Sequence, residues 1–185
     1  AGGTQISADG KQVIYTVTST NWSGNNYDTE IWLSRDGGKP FQLTQTQNGS
    51  SNAASFSPDS KWISFIADRG NKRQLYLIAV EGGEAFAITQ DEDGIGGYEW
   101  SPDGTKIAIT KTETDSKKEK STKERYGAFG IEGEEYKLSH LWLLNFDIDS
   151  IRNAGLLPCY DEKADSSIVK KNSSCITLPK AQRLT

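Results

Sequence analysis

Ser57-Pro58-Asp59-Ser60-Lys61-Trp62-Ile63-Ser64-Phe65 reads as a tight turn followed by a strand. Pro58 pre-sets φ at about −65° for the second turn position, and the side chains of Ser57 and Asp59 can bond nearby backbone amides. The stretch recurs. Ser101-Pro102-Asp103-Gly104-Thr105-Lys106-Ile107-Ala108-Ile109 is a second copy and Ser7-Ala8-Asp9-Gly10-Lys11-Gln12-Val13-Ile14-Tyr15 a third, with Asp9, Asp59 and Asp103 spaced 50 and 44 residues apart.

What surrounds the turn recurs too. Ile31-Trp32-Leu33 in the first unit matches Leu75-Tyr76-Leu77-Ile78 in the second, Asp36-Gly37-Gly38 matches Glu81-Gly82-Gly83, and Phe41-Gln42-Leu43-Thr44 matches Phe86-Ala87-Ile88-Thr89. The strand segments are β-branched or aromatic, and the Gly pairs suit hairpin turns with positive φ. Four short strands per unit at a period of roughly 40–50 residues is the pattern of β-propeller blades. The expected fold is all-β: a propeller fragment of three four-stranded blades, the first at 1–50, the second at 51–94 and the third at 95–185. Two insertions delay the third blade. One spans 111–137, before Leu141-Trp142-Leu143-Leu144, and the other spans 147–180, before Gln182-Arg183-Leu184-Thr185. The chain stops at the end of a blade, which suggests a trimmed or processed piece.

Gly10 and Gly104 can take the left-handed conformation that finishes the turn, whereas Ser60 stands at the same place at a cost on the order of 1 kcal/mol if its φ is positive. Ile63-Ser64-Phe65-Ile66 is apolar on both sides, as in a sheet stacked between two others. Three blades leave two apolar faces open, and propellers close with about 4–8 blades, so further blades or a second copy are expected to cover them.

Composition agrees. An apolar fraction of 35%, with 18 Gly, 5 Trp, 7 Tyr and no Met, suits a turn-rich β fold. A net charge of −4, from 25 acidic and 21 basic residues, lacks the basic face of a nucleic-acid binder. No apolar run reaches the ~18 residues of a membrane span. A leader upstream of Ala1 could have been removed. Cys159 and Cys175 enclose 15 residues. In an oxidising compartment a disulfide between them would contribute about 3 kcal/mol; two unrelated thiols are the other reading. No His lies near them, so no metal site is expected.

The Ser-Pro-Asp-Gly turn, the Leu-Trp-Leu strand and the Leu-Thr ending together resemble the propeller of the prolyl oligopeptidase family, most of all its acylaminoacyl-peptidase and dipeptidyl-peptidase branches. The charged lead-in Glu134-Glu135-Tyr136-Lys137-Leu138-Ser139-His140-Leu141-Trp142 is similar to an insertion in those enzymes. The likeness covers about residues 4–146 and 181–185. It implies a propeller that caps an α/β-hydrolase domain and filters which peptides reach a serine nucleophile, in a periplasmic or secreted protein, with no cofactor. The sequence has no Gly-x-Ser-x-Gly elbow, so no catalytic residue is carried over. The repeat also resembles the periplasmic propeller component of the Tol system, a non-enzymatic protein binder.

Within this frame Glu134 and Glu135 are candidates for gripping a substrate amino terminus, and Arg125 for a peptide carbonyl or carboxylate. The bland reading of all three is a solvated loop. His140, the only histidine, falls in register with Glu30 and Gln74 and is expected at a polar strand edge rather than as a general base. Asp91-Glu92-Asp93-Gly94 lacks the spaced acids of a calcium loop and reads as a link between blades. Lys111 to Arg125, with 6 basic and 4 acidic residues interleaved, reads as a solvated segment. Asn21-Trp22-Ser23, Asn48-Gly49-Ser50 and Asn172-Ser173-Ser174 fit the glycosylation pattern, which is short and common.

Overall fold

The computed structural model describes residues 2–22, 24–46, 49–69, 72–127, 137–145, 147 and 181–184. These form three four-stranded antiparallel sheets, each a meander in chain order. The first holds β1 (Gly2–Ile6), β2 (Gln12–Asn21), β3 (Asn26–Arg35) and β4 (Phe41–Gln42). The second holds β5 (Ser51–Phe56), β6 (Trp62–Ala67), β7 (Gln74–Ala79) and β8 (Phe86–Ala87). The third holds β9 (Gly97–Trp100), β10 (Lys106–Thr112), β11 (Ser139–Asn145) and β12 (Gln182–Arg183). This is the expected three-bladed all-β fragment, with one departure: a helix, α1 (Lys117–Tyr126), stands in the first insertion of the third blade. Lys111 and Thr112, placed in that insertion by the sequence pattern, belong to β10, where they pair with His140 and Ser139.

The recurring turn is built the same way three times. In the second sheet the Ser57 amide donates to the Trp62 carbonyl at 2.8 Å and the Ser60 amide to the Ser57 carbonyl at 2.8 Å. Ser57 Oγ bonds Asp59 Oδ1 at 2.6 Å and accepts from the Trp62 amide at 3.0 Å, while Asp59 Oδ1 also accepts from the Lys61 amide at 3.2 Å. Ser7 with Asp9 (2.6 Å) and Ser101 with Asp103 (2.5 Å) repeat the contact. The serine hydroxyl is therefore spent on the turn itself. The residue completing the turn has φ of 72° at Gly10, 71° at Gly104 and 55° at Ser60, so Ser60 does occupy the left-handed region. The hairpin after β3 differs in detail from its expected form: its positive φ angles fall on Asp36 (49°) and Gly37 (70°), an Asp-Gly pair, and not on Gly37 with Gly38.

The second sheet is buried on both faces. Ile63, Phe65, Tyr76 and Ile78 pack with Ile14, Ile31 and Leu33 of the first sheet. Ile66, Leu75 and Leu77, pointing the other way, pack with Trp100, Ile107, Ile109 and Leu144 of the third. Period-two alternation sends neighbouring residues to different interfaces, so a continuous apolar run is what a central sheet requires. At about 1.5–3 kcal/mol per fully buried aliphatic or aromatic side chain, these two interfaces are the main stabilising contribution. Ser64 is the polar exception. It is wholly buried and its Oγ accepts the indole N–H of Trp100 at 2.7 Å and bonds the Tyr98 hydroxyl at 2.9 Å, tying the second sheet to the third.

The Leu-Thr ending has a physical cause as well. Thr89 Oγ1 accepts the Leu75 amide (2.9 Å) and donates to Gln74 Oε1 (2.8 Å), and Gln74 Oε1 accepts the Asp91 amide (3.0 Å). In the first sheet Thr44 Oγ1 accepts the Ile31 amide (2.9 Å) and donates to Glu30, which also takes the Thr46 amide. The threonine thus locks each short last strand to its neighbour. Glu30 is only 6% exposed, so the expected polar strand-edge position is a buried acceptor in the first blade.

Candidate functional site

A meander alternates the ends at which its strands are joined. The Ser7, Ser57 and Ser101 turns and the hairpins at Asp36 and Glu81 lie at one end. The β2–β3, β6–β7 and β10–β11 connections and the links between sheets lie at the other. The two insertions of the third blade leave from opposite ends. The first leaves where Thr112 pairs with Ser139, the second where Lys106 pairs with Asn145.

The end that carries the first insertion holds the candidate site. A cleft of about 360 Å³ opens there between the second and third sheets, with Asp68, Lys72, Arg73, Asp93, Glu113 and Thr114 among its lining. Charges of both signs face one space. The same end carries the β2–β3 hairpin, ten residues per strand, with Trp22 87% and Tyr27 73% exposed near its tip.

Ion pairs lie beside the cleft, and one of them includes its lining residue Glu113. Lys111 Nζ pairs with Asp91 and lies 4.2 Å from the centre of the Trp142 ring, so Asp91 of the inter-sheet link is fastened to the third sheet. His140 Nε2 bonds Glu113 Oε1 at 2.6 Å, and Arg183 Nη2 lies 2.8 Å from His140 Nδ1 and 3.0 Å from Nε2. The bond from His140 holds the Glu113 carboxyl below its usual range. Among the described residues both ring nitrogens have partners, Glu113 and Arg183, and no nucleophile is placed against His140.

Helix α1 begins with a capping box, in which the Glu119 amide donates to Ser116 Oγ (3.2 Å) and the Ser116 amide to Glu119 Oε2 (2.6 Å). Lys137, just ahead of β11, clasps it, 2.7 Å from Glu119 Oε1 and 3.2 Å from Asp115 Oδ1, and Lys123 Nζ lies 2.8 Å from Asp115 Oδ2. Lys137 and Ser116 lower the Glu119 pKa to about 2; Lys123 and Lys137 lower that of Asp115; Glu119 raises that of Lys137. The insertion's base is thus a capped, ion-paired helix and not a wholly solvated segment. Ser116-Lys117-Lys118-Glu119, with capping-box spacing, is the sequence signal that finds it.

Of the candidate residues, Arg125 lies exposed on the last turn of α1. Glu134, Glu135, Cys159 and Cys175 lie outside the described residues, as do two of the three glycosylation-pattern asparagines, Asn48 and Asn172. No group of three or more His, Cys, Asp or Glu suited to a metal ion occurs among the described residues. None of their helices is long and apolar enough to cross a membrane. The residues that the sequence pattern left aside and the fold brings to this end are Lys72, Arg73 and Glu113. They come together only through the packing of two sheets, which no local motif announces.

Stacked four-stranded meanders with recurring turns define a β-propeller portion. No family model matches the chain. It is 31% identical over 140 residues, 72% of its length, to an uncharacterized peptidase of Bacillus subtilis, YuxL, and 30% identical over 112 residues, 59% of its length, to dipeptidyl-peptidase 5 of Porphyromonas endodontalis. It spans 21% and 16% of those two proteins. Among solved structures, acylaminoacyl peptidase of Pyrococcus horikoshii aligns with a TM-score of 0.57 at 16% identity, over 78% of this chain and 22% of that one. TolB of Acinetobacter baumannii aligns with a TM-score of 0.54 at 19% identity, over 78% of this chain and 29% of that one. Those two likenesses concern the fold. The peptidase relatives support reading the chain as a propeller portion of a prolyl oligopeptidase-family peptidase.

Proposed function

We propose that this chain is the substrate-gating part of a serine peptidase acting on peptides, its α/β-hydrolase domain lying outside the 185 residues, in a periplasmic or secreted protein. The observation that carries this reading is the 31% identity to a protein named as a peptidase, over a stretch that makes up 21% of that protein. The mixed-charge cleft and the ion-paired helix at one end of the blades support a filter, because they set both charge and width where chain segments converge. Arg125, Glu134 and Glu135 remain the proposed contacts to the peptide. Further blades, or a second copy, cover the outer faces, where Ile6 is 61% and Leu141 38% exposed.

The test is to express the chain together with its downstream gene sequence. Labelling by a serine-directed fluorophosphonate and cleavage of dipeptide or acyl-amino-acid reporter substrates are the expected results. Replacing residues 114–137 by a short Gly-Ser linker is expected to raise kcat/KM for long peptides and to leave small-ester hydrolysis unchanged. Absent labelling points instead to a non-enzymatic protein-binding propeller. Labelling with no change in length preference leaves a peptidase but removes the gate.

A further inference from the structure

Lys72 and Arg73 stand in the lining of the cleft, on the connection between β6 and β7, and both are exposed. Their backbone is fixed. The Arg73 carbonyl accepts the Ile95 amide at 3.0 Å. Gly94, at a φ of 80°, lies so close that a Cβ there would come within 3.1 Å of the Arg73 carbonyl oxygen and 3.2 Å of its amide nitrogen. Glycine is what permits this approach, and the inter-sheet link is pressed onto the backbone that carries the two cations.

The charges lining the cleft are unevenly used. Each carboxylate has a partner: Asp68 Oδ1 accepts the Ser50 amide at 2.8 Å, Asp93 Oδ2 accepts the Thr114 hydroxyl at 3.2 Å, and Glu113 bonds His140. Among the described residues neither Lys72 nor Arg73 forms an ion pair. Arg73 Nη2 reaches only the neutral Asn52 Oδ1, at 3.5 Å, the outer limit of a hydrogen bond. Two cations with unspent donors suit one carboxylate. The acids in the same lining decide what must follow it. They repel a polyanion such as a nucleic acid, and they accept N–H groups. A single carboxylate followed by N–H donors is the C-terminal end of a peptide, and a volume of about 360 Å³ suits a short one. We propose that Lys72 and Arg73 form a subsite for the C-terminal carboxylate of a short peptide, the choice of a peptide as occupant resting on the peptidase reading above.

Binding can be measured on the chain itself, which carries no nucleophile elbow and so leaves peptides intact. The probes are tetra-alanine as the free acid and as the C-terminal amide, followed by NMR through the amide shifts of Ile95 and Gly96. The free acid is expected to bind roughly tenfold more tightly than the amide, the effect of one charge-assisted hydrogen-bonded pair. Arg73→Gln, which keeps the backbone bond to Ile95, is expected to lose most of that difference, and adding Lys72→Gln to erase it. Arg69→Gln removes a charge from the same connection, but its guanidinium lies over Phe65 and Tyr76, which pack toward the first sheet, so the difference is expected to persist. Equal shifts with acid and amide, no shift with either, or equal losses in Arg69→Gln and Arg73→Gln overturn the proposal. So does tighter binding of a short single-stranded oligonucleotide, or an amidated tetrapeptide with an internal glutamate that binds as tightly as the free acid. Fluorophosphonate labelling tests the peptidase reading separately: its absence beside acid-dependent binding removes that reading and keeps the subsite.

Discussion

The backbone amide of Ala8 donates to the hydroxyl of Ser60 at 3.1 Å, across the boundary between the first and second sheets. Ser60 is the one copy of the turn that lacks glycine, and it holds a φ of 55°. A left-handed serine is strained by on the order of 1 kcal/mol, and a hydrogen bond of this kind offsets about the same amount. Ser60→Ala keeps the strain and loses the bond, so it is expected to destabilise by about 1 kcal/mol. Ser60→Gly loses both and is expected to stay within about 0.5 kcal/mol of the parent. Urea melts of the two variants test the assignment; equal losses would sink it.

Ser64 is the polar joint between the second and third sheets. Ser64→Ala removes the hydroxyl that accepts the Trp100 indole N–H in a buried site, and a loss of about 1–3 kcal/mol is expected. The Tyr98 hydroxyl keeps the carbonyls of Ala53 (2.7 Å) and Ser64 (2.8 Å). Burial pushes the Tyr98 phenol well above its ordinary range, so in an ultraviolet titration it is expected to ionise only as the protein unfolds. An early, reversible Tyr98 titration, identified with Tyr98→Phe, would contradict this packing.

Asp103 sets a pH dependence whose direction follows from its bonds. Ser101 and Thr105 lower its folded pKa to about 2, against about 3.9 in an unfolded chain. A lowered folded pKa means that the stabilisation is present above about pH 4 and is lost as pH falls toward about 2. Asp9 is shifted the same way, chiefly by Ser7. Thermal midpoints measured across this window are expected to fall less steeply in Asp103→Asn than in the parent. Parallel curves would show that the carboxylate is not anchored as described.

Glu30 and Gln74 perform one task in two sheets. Glu30→Gln is therefore expected to be tolerated within about 1 kcal/mol, because Gln74 shows that an amide oxygen can take both the threonine hydroxyl and the next amide. Glu30→Leu strands the Thr46 amide in a buried place and is expected to cost about 1–3 kcal/mol. Chemical denaturation of both variants decides between a bonded and a merely solvated Glu30.

What the sequence makes legible is whatever depends on neighbours in the chain. The turn at Ser57, the Gly10 and Gly104 conformations and the alternation in Ile63-Ser64-Phe65-Ile66 are local, and each stands as its residues imply. Burial of Glu30 is not local: it depends on Thr44 and Thr46, brought close only when the last strand folds back. Helix α1 is polar all round and lacks an apolar stripe, so periodicity does not reveal it, although its capping box does. The cleft is the least legible feature. Lys72 and Arg73 meet Glu113 only because two repeats stack, and a pattern along one chain direction carries no trace of that.

The two-residue strand β12 also bears on the order of folding. In the second sheet six residues separate the third strand from the fourth, whereas 36 separate β11 from β12. Closing the longer loop from the unfolded chain costs roughly 1.5 kcal/mol more in entropy, for no more strand pairing in return. Folding is then expected to begin in the first two sheets, with their short connections and shared core, and β12 to dock after the transition state. Substitutions at Arg183 should accordingly quicken unfolding and leave the refolding rate unchanged, whereas truncating Phe65 should slow refolding.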